Sequence, residues 1–286
     1  MLCQGPGGNT SYKQGRNIFI KKSGFHLSES NENSFLKMNF TKILDFYKNN
    51  PDHSEKYENS LSIETPLHVL SKAKYVFHFH SIASIICSLL YKKSDLDKLL
   101  IKEKILPIRY IRPGLELAEE VNLLNNNGLY SNFFLYSHGM VVEGDDLIEI
   151  NDRIYMIENF FKKLIDYEKL KSLSNKIYKI NQKDCKINNP DPDLKYELYN
   201  NKFFFPDHAV FFPHQINKIE SSEIHYDDKN IHFRKKLSDT ELTYFKTLLI
   251  IFCYIKNEKI HNYIDLKTSK NLRNSEDELL RVSLNK

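Results

Sequence analysis

The sequence predicts a mixed α/β fold, on three observations. Short β-branched and aromatic runs alternate with helical stripes through the first half of the chain. All nine glycines lie at or before Gly144, so tight turns and loops that let backbone approach closely are gathered there. After Asp145 the apolar residues recur at spacings of three and four, which reads as helices joined by polar connections. A soft boundary falls near residue 185, before the linker-like stretch "NNPDPDLK". It divides residues 1–185 from a helix-rich extension over 186–286 that packs on them.

Taken in order, residues 10–22 read as a hairpin: "TSYK", a Gln14-Gly15 turn, then "NIFIKK" with alternating apolar positions. Leu36, Phe40, Ile43 and Tyr47 recur at four, three and four, which predicts a helix over 33–48. Ser62 is placed as the N-cap of a helix through "SIETPLHVLSKA", with Pro66 in its first turn. "KYVFHFH" at 74–80 reads as a strand and the following "SIASIICSLLY" as a helix. "LPIRYI" at 106–111 is a strand, closed by Pro113-Gly114 before a short amphipathic helix with Leu117, Val121 and Leu124. "NFFLYS" at 132–137 is a strand that ends at His138-Gly139, and "MVVEG" is the next. Leu147, Ile150, Ile154, Ile157, Phe161 and Leu164 make one helical face with the charges opposite. "KFFFPDHAVFFP" at 202–213 reads as strand on both sides of Pro206. Ser238 and Glu241 form a capping box ahead of an apolar helix through "YFKTLLIIFCYI".

Composition removes several function classes. With 286 residues, 41% hydrophobic and 13% aromatic, the chain can bury a real core. A net charge of +4, from 41 basic and 37 acidic residues, with no basic stripe interleaved with aromatics, argues against nucleic acid. Cys3, Cys87, Cys185 and Cys253 are scattered without a CxxC pair, so neither a disulfide framework nor a thiolate zinc site is indicated. The apolar run "LLIIFCYI" at 248–255 is too short for a bilayer, and no signal peptide is visible; a cytoplasmic protein is expected.

Chemistry is concentrated in a few side chains. In His78-Phe79-His80, residues two apart on a strand share a face, ~6.6–7 Å apart, so both rings can converge on one metal ion. A chance pair of surface histidines is the alternative. His138, just before Gly139 at a strand end, can join them or can be a turn residue bonding its own backbone. Three imidazoles at strand ends, or two with a carboxylate, leave a coordination position open, as catalytic zinc sites do. Glu64 is the candidate carboxylate, against the alternative of a plain helix-start glutamate. His68, one helical turn later, reads as a supporting or core residue, and His208 and His214 as structural. The glycine-rich opening "MLCQGPGGNTSYKQG" is either an anion-binding loop or a bend required for folding. A Walker P-loop is excluded, because no Lys-Ser/Thr follows at the required spacing.

The motifs "QGPGGNTSYK", "IFIKKSG", "SIETPLH", "VFHFH", "RYIRPGLELA" and "LYSHGMVVEGD" stand in an order that resembles the class II aldolase/adducin superfamily. The resemblance covers roughly residues 4–150, and "FFFPDHAVFF" matches a further motif. More narrowly, the chain is similar to the aldolase part of long bacterial proteins that join a rhamnulose-1-phosphate-aldolase-like domain to a short-chain dehydrogenase, and to their stand-alone relatives. The resemblance implies a three-layer αβα domain with a mostly antiparallel central sheet and a divalent metal, usually Zn2+, with Mn2+, Fe2+ or Co2+ as alternatives. It implies His78, His80 and His138 as metal ligands and Glu64 as general acid/base. It further implies Gly8, Asn9, Thr10, Ser11, Ser23 and Gly24, with Ser62, as the loops that hold a substrate phosphate.

The chain departs from that pattern in three places. Ser62-Ile63 stands where simpler sugar-phosphate aldolases have a serine pair, so one phosphate donor is missing, for which Lys21 and Lys22 could compensate. The leading helix of relatives is not expected ahead of the glycine loop, and no GxGxxG dehydrogenase segment follows. The expected activity is a metal-dependent aldolase acting on a ketose or ketose phosphate. The metal would act as a Lewis acid on the carbonyl and Glu64 would move the proton at the adjacent carbon. A sugar-phosphate epimerase or dehydratase is the alternative within the fold, and a non-catalytic adducin-like module the alternative outside enzymes. The expected partners are a small sugar substrate and further copies of the chain in a homotetramer, with no membrane.

Overall fold

The computed structural model describes residues 2–49, 61–275, 278–279 and 282–283. The first half is built on a seven-stranded sheet. The predicted hairpin is there as β1 (Asn9–Gln14) and β2 (Asn17–Lys21), joined across Gly15, whose φ is positive. The helix expected over 33–48 is a correction. Residues Phe35–Asn39 form strand β3, and helix α1 starts only at Phe40 and runs to Asn49. β3 pairs antiparallel with β2, placing Leu36 opposite Ile20 and Met38 opposite Ile18. An open sheet edge offered five residues a ladder, and tertiary pairing overrode the helical spacing.

A second correction concerns the helix start near Ser62. Helix α2 is Thr65–Leu70 with Glu64 as its N-cap residue and Pro66 in the first turn. Glu64 makes no side-chain capping bond, because its carboxylate is turned elsewhere. Then come β4 (Tyr75–Phe79), α3 (Ile82–Leu90), α4 (Lys93–Lys102), β5 (Leu106–Ile108), α5 (Leu115–Leu124), β6 (Asn132–Leu135) and β7 (Gly139–Gly144). The sheet order is β3-β2-β1-β4-β7-β6-β5, antiparallel throughout except for the β5–β6 pair.

Strand alternation divides two cores. Val76, Phe133, Leu135 and Val141 face α2 and α5, packing on Leu67, Leu117, Ala118 and Val121. Phe79, Phe134, Met140 and Val142 face α3 and α6 (Leu147–Leu164), which contributes Ile150, Ile157 and Phe161. The fold is therefore a mixed α/β sandwich of helices about a largely antiparallel sheet.

The C-terminal region carries helices and a second sheet. After α7 (Tyr167–Tyr178) come β8 (Lys186–Asn188), α8 (Pro206–Phe211), β9 (Ile216–Asn217), β10 (Ile224–Tyr226), β11 (Asn230–Phe233), α9 (Asp239–Ile255) and α10 (Leu266–Arg273). The strands, ordered β8-β11-β10-β9, are too short and polar to stand out in the sequence. Residues 202–213 are not a strand. Pro206 opens α8; Phe204, Phe205 and Phe212 bury themselves in the core with Phe245, Leu249 and Phe252 of α9, while Phe203 makes a single antiparallel bridge to Ile264. Helix α9 starts at the predicted Ser238–Glu241 capping box and is buried along almost its whole length, so it serves this chain's core. Among the described residues no helix is long and apolar enough to cross a membrane.

Candidate metal centre

The end of β4 is where chemistry-bearing side chains meet. Alternation places His78 on the α2 side of the sheet with Val76, opposite Val141 of β7 and Asn9 of β1. His80 lies one residue beyond β4, ahead of Ser81, which caps α3. His138 sits in the three-residue turn between β6 and β7 rather than at a strand end, its N–H donating to Leu135 O at 3.1 Å. That turn depends on Ser137 at φ 52, a conformation few side chains adopt, and Ser88 Oγ accepts the Ser137 N–H at 2.9 Å. Glu64 reaches in from the start of α2. All four residues are buried, and one ligand atom from each lies within 4.8 Å of the others.

The hydrogen bonds decide which atoms face inward. His78 Nδ1 lies 2.9 Å from the Met140 carbonyl, and a carbonyl only accepts, so Nδ1 carries the proton. His80 Nδ1 lies 2.9 Å from Asp207 Oδ2 and carries its proton for the same reason. Each neutral ring therefore presents a lone pair at Nε2. Those two atoms are 2.9 Å apart, and Glu64 Oε1 is 3.0 Å from His78 Nε2 and 2.9 Å from His138 Nε2. Glu64 Oε1 is buried, with the ring nitrogens of His78 and His138 beside it. The Nε2 lone pairs that His78 and His80 turn toward each other repel unless a proton or a metal cation sits between them. Ligands on an ion at ~2.1 Å stand roughly 3–3.5 Å from one another, and three imidazoles with one carboxylate suit a divalent metal. The residues present fit such an ion.

Electrostatics point the same way. Burial alone would raise the Glu64 pKa, but His78 and His138 beside it outweigh that and hold the carboxyl well below its usual range. Burial would lower His78, yet the apposed Glu64 leaves it raised. A point that raises the proton affinity of a buried imidazole attracts cations generally. Burial, with His78 and His80 adding, drives His138 down to about 4.

Around the four lies a buried polar network. Asn9 Nδ2 donates to Glu64 Oε2 at 3.1 Å and to Ser62 Oγ at 3.1 Å. Asn9 Oδ1 accepts from His68 Nε2, whose other nitrogen pairs with Ser11 Oγ at 2.9 Å. His68 is thus a supporting residue, kept neutral by burial, which pulls it down to about 3. Of the loop residues that the resemblance implies for substrate, Gly8, Asn9, Ser11 and Ser62 border this network. Thr10 points to the other face of the sheet with Phe77, and Ser23 and Gly24 lie half-buried in the turn after β2. Lys21, itself buried, joins that turn to the opening loop by donating to Phe25 O at 2.6 Å and to Pro6 O at 3.4 Å.

His208 is structural, its Nδ1 accepting from Phe204 N–H at 3.1 Å, and His214 is exposed. Asp207 is the site residue that sequence reasoning missed. Its signal was a lone carboxylate inside "FFFPDHAVFF", where burial demands a partner.

The family model of the class II aldolase and adducin N-terminal domain matches residues 1–165. Three solved structures share part of the fold. The N-terminal class II aldolase domain of a conserved protein from Thermoplasma acidophilum is 25% identical, over 56% of this chain and 84% of that one, at a TM-score of 0.47. The L-fuculose-1-phosphate aldolase from Thermus thermophilus is 18% identical, over 60% and 88%, at 0.42. An aldolase II superfamily protein from Pseudomonas syringae is 17% identical, over 57% and 67%, at 0.43. No curated protein matches the chain. With more than half its length matched and a buried three-histidine, one-glutamate cluster of the kind that holds a divalent metal, this chain belongs to the class II aldolase/adducin family.

Proposed function

We propose that the protein is a divalent-metal-dependent aldolase, with Zn2+ the expected ion, that cleaves or forms a carbon–carbon bond beside the carbonyl of a ketose or ketose phosphate. The observation that carries this reading is the gathering of the His78 and His138 Nε2 atoms on Glu64 Oε1, with His80 Nε2 against that of His78, in a pocket where two of the rings are locked with their protons turned outward. A non-catalytic relative would have no need of that arrangement. His78, His80 and His138 would hold the ion, which supplies a Lewis acid for the substrate carbonyl. Glu64 has one oxygen among the imidazoles and the other on Asn9, so it is anchored and charged at the place where a proton must move. It serves as the general base for the carbon next to the carbonyl and as the acid in the reverse direction. Gly8, Asn9, Ser11, Ser23, Gly24 and Ser62 are read as the substrate side, with the buried Lys21 ammonium behind them favouring an anionic group; the Thr10 side chain, on the other face of the sheet, is left out of it. The exposed Ile148, Tyr155 and Met156 of α6 are read as surface for assembly, as a homotetramer.

The test uses purified protein and metal analysis, followed by a screen of ketose phosphates and their unphosphorylated counterparts. Wild type should carry about one divalent ion per chain and exchange solvent deuterium into the ketose carbon. Glu64→Gln should keep much of its metal and lose turnover by roughly 10²–10⁴-fold, with exchange abolished. Normal exchange in Glu64→Gln would reject Glu64 as the base. Absence of bound metal in wild type would reject the metal-dependent reading.

A further inference from the structure

The C-terminal region places a carboxylate behind one of the three histidines. Asp207 in the first turn of α8 is 0% exposed, and its Oδ2 lies 2.9 Å from His80 Nδ1. It comes from outside the segment 1–165 that matches the family model. His78 has its proton fixed by the carbonyl of Met140, which lies inside that segment, whereas His80 relies on a residue far beyond it.

The surroundings are closely packed. His208, next to Asp207, packs its ring against Phe203, Phe204 and Phe252 and accepts the Phe204 N–H. From the opposite side the opening loop closes on the pair. A Cβ at Gly7 would stand 3.2 Å from His80 Nδ1 and 3.4 Å from Asp207 Oδ2, so the glycine is what allows the loop to lie this near. Three distant parts of the chain therefore meet at one imidazole: the opening loop, the end of β4 and α8.

We propose that Asp207 is a positioning residue for His80, through which the region after the family-matched segment completes the metal centre. It holds His80 in the Nδ1–H form, aims Nε2 into the cluster, and makes the ring a stronger donor to a divalent cation. A carboxylate in this position behind a ligating histidine typically changes metal affinity by about 10–100-fold. A residue that only filled space would affect folding stability and leave the affinity of folded protein unchanged. The inference rests on the metal-dependent reading above, and its test separates the two.

The full chain, as wild type, Asp207→Ala, Asp207→Asn and His80→Ala, is titrated with Zn2+ against a chromogenic chelator, and the Co2+ form is examined by visible absorption. Asp207→Ala should weaken Zn2+ by roughly 10–100-fold. Asp207→Asn keeps the volume and an acceptor oxygen but loses the charge, so it should fall between that variant and wild type. The Co2+ bands should shift in both, and His80→Ala should lose more affinity than either. Where circular dichroism shows Asp207→Ala to be unfolded, Asp207→Asn decides. Wild-type affinity and an unchanged Co2+ spectrum in a folded Asp207 variant, with His80→Ala impaired, overturn the role of Asp207 alone. Wild-type affinity in His80→Ala, or no binding by wild type, overturns the metal centre and this inference with it.

Discussion

Asn9 Nδ2 stands 3.1 Å from Glu64 Oε2, so the first strand grips one oxygen of the carboxylate whose other oxygen lies among the histidines. The two residues are far apart in sequence, and the contact forms because β1 pairs with β4 and α2 packs across both. An amide donating to a buried carboxylate is a charge-assisted bond.

Asn9→Ala leaves that oxygen without its donor and should destabilise the chain by about 1–3 kcal/mol, measured by urea unfolding. It should also lower kcat more than it raises KM, because Glu64 loses its orientation. A contact made only to bound substrate would instead raise KM with kcat unchanged.

Metal removal should be visible in stability as well as in activity. A ligand that binds the folded chain at 100 times its Kd stabilises it by about 2.7 kcal/mol. Chelator-treated wild type should therefore gain Tm on adding Zn2+, whereas His78→Ala should show little gain. An equal gain in both would place the bound ion elsewhere.

Gly8 and Gly15 both have positive φ, yet their surroundings differ. A Cβ at Gly8 would stand 2.6 Å from His78 O and 2.8 Å from Cys3 Sγ, whereas at Gly15 nothing lies within 4 Å. Gly15→Ala should lose only the backbone term of about 1–2 kcal/mol. Gly8→Ala should lose clearly more and reduce metal affinity, since the strand that bears His78 must shift. Equal losses by urea unfolding would show that the loop can yield there.

Burial lowers the His208 pKa to about 3, and its Nδ1 must stay unprotonated to accept the Phe204 N–H. The unfolded state, with a histidine near 6.5, therefore binds more protons below that pH. Stability from this residue is present above pH 6.5 and is lost as pH falls toward 3, by roughly 2 kcal/mol at pH 5. His208→Gln, whose amide oxygen can accept the same N–H, should lose stability less steeply between pH 7.5 and 5. Parallel curves for the two proteins would exclude His208 as a source of acid sensitivity.

Elements whose signal is local were legible in the sequence. The β1–β2 hairpin, β4, α3, α5, α6 and the capping box of α9 each carry their own periodicity, turn or cap, and each stands where its residues put it. His78 and His80 were visible as neighbours because strand geometry alone puts them on one face. Tertiary structure decided what depends on partners distant in sequence. Residues 35–39 became a strand because β2 presented an edge, and "FFFPDHAVFF" became helix and core because α9 offered an aromatic bed. Glu64 and His138 could be suspected from their types, but the 2.9 Å between them exists only because α2 and the β6–β7 turn close over the end of β4. The sequence determined which side chains could hold a metal, since that is a property of residue type and local spacing. The tertiary structure decided which nitrogen of each ring faces inward and that Asp207 stands behind His80, because hydrogen bonds between remote segments form only once the chain has folded.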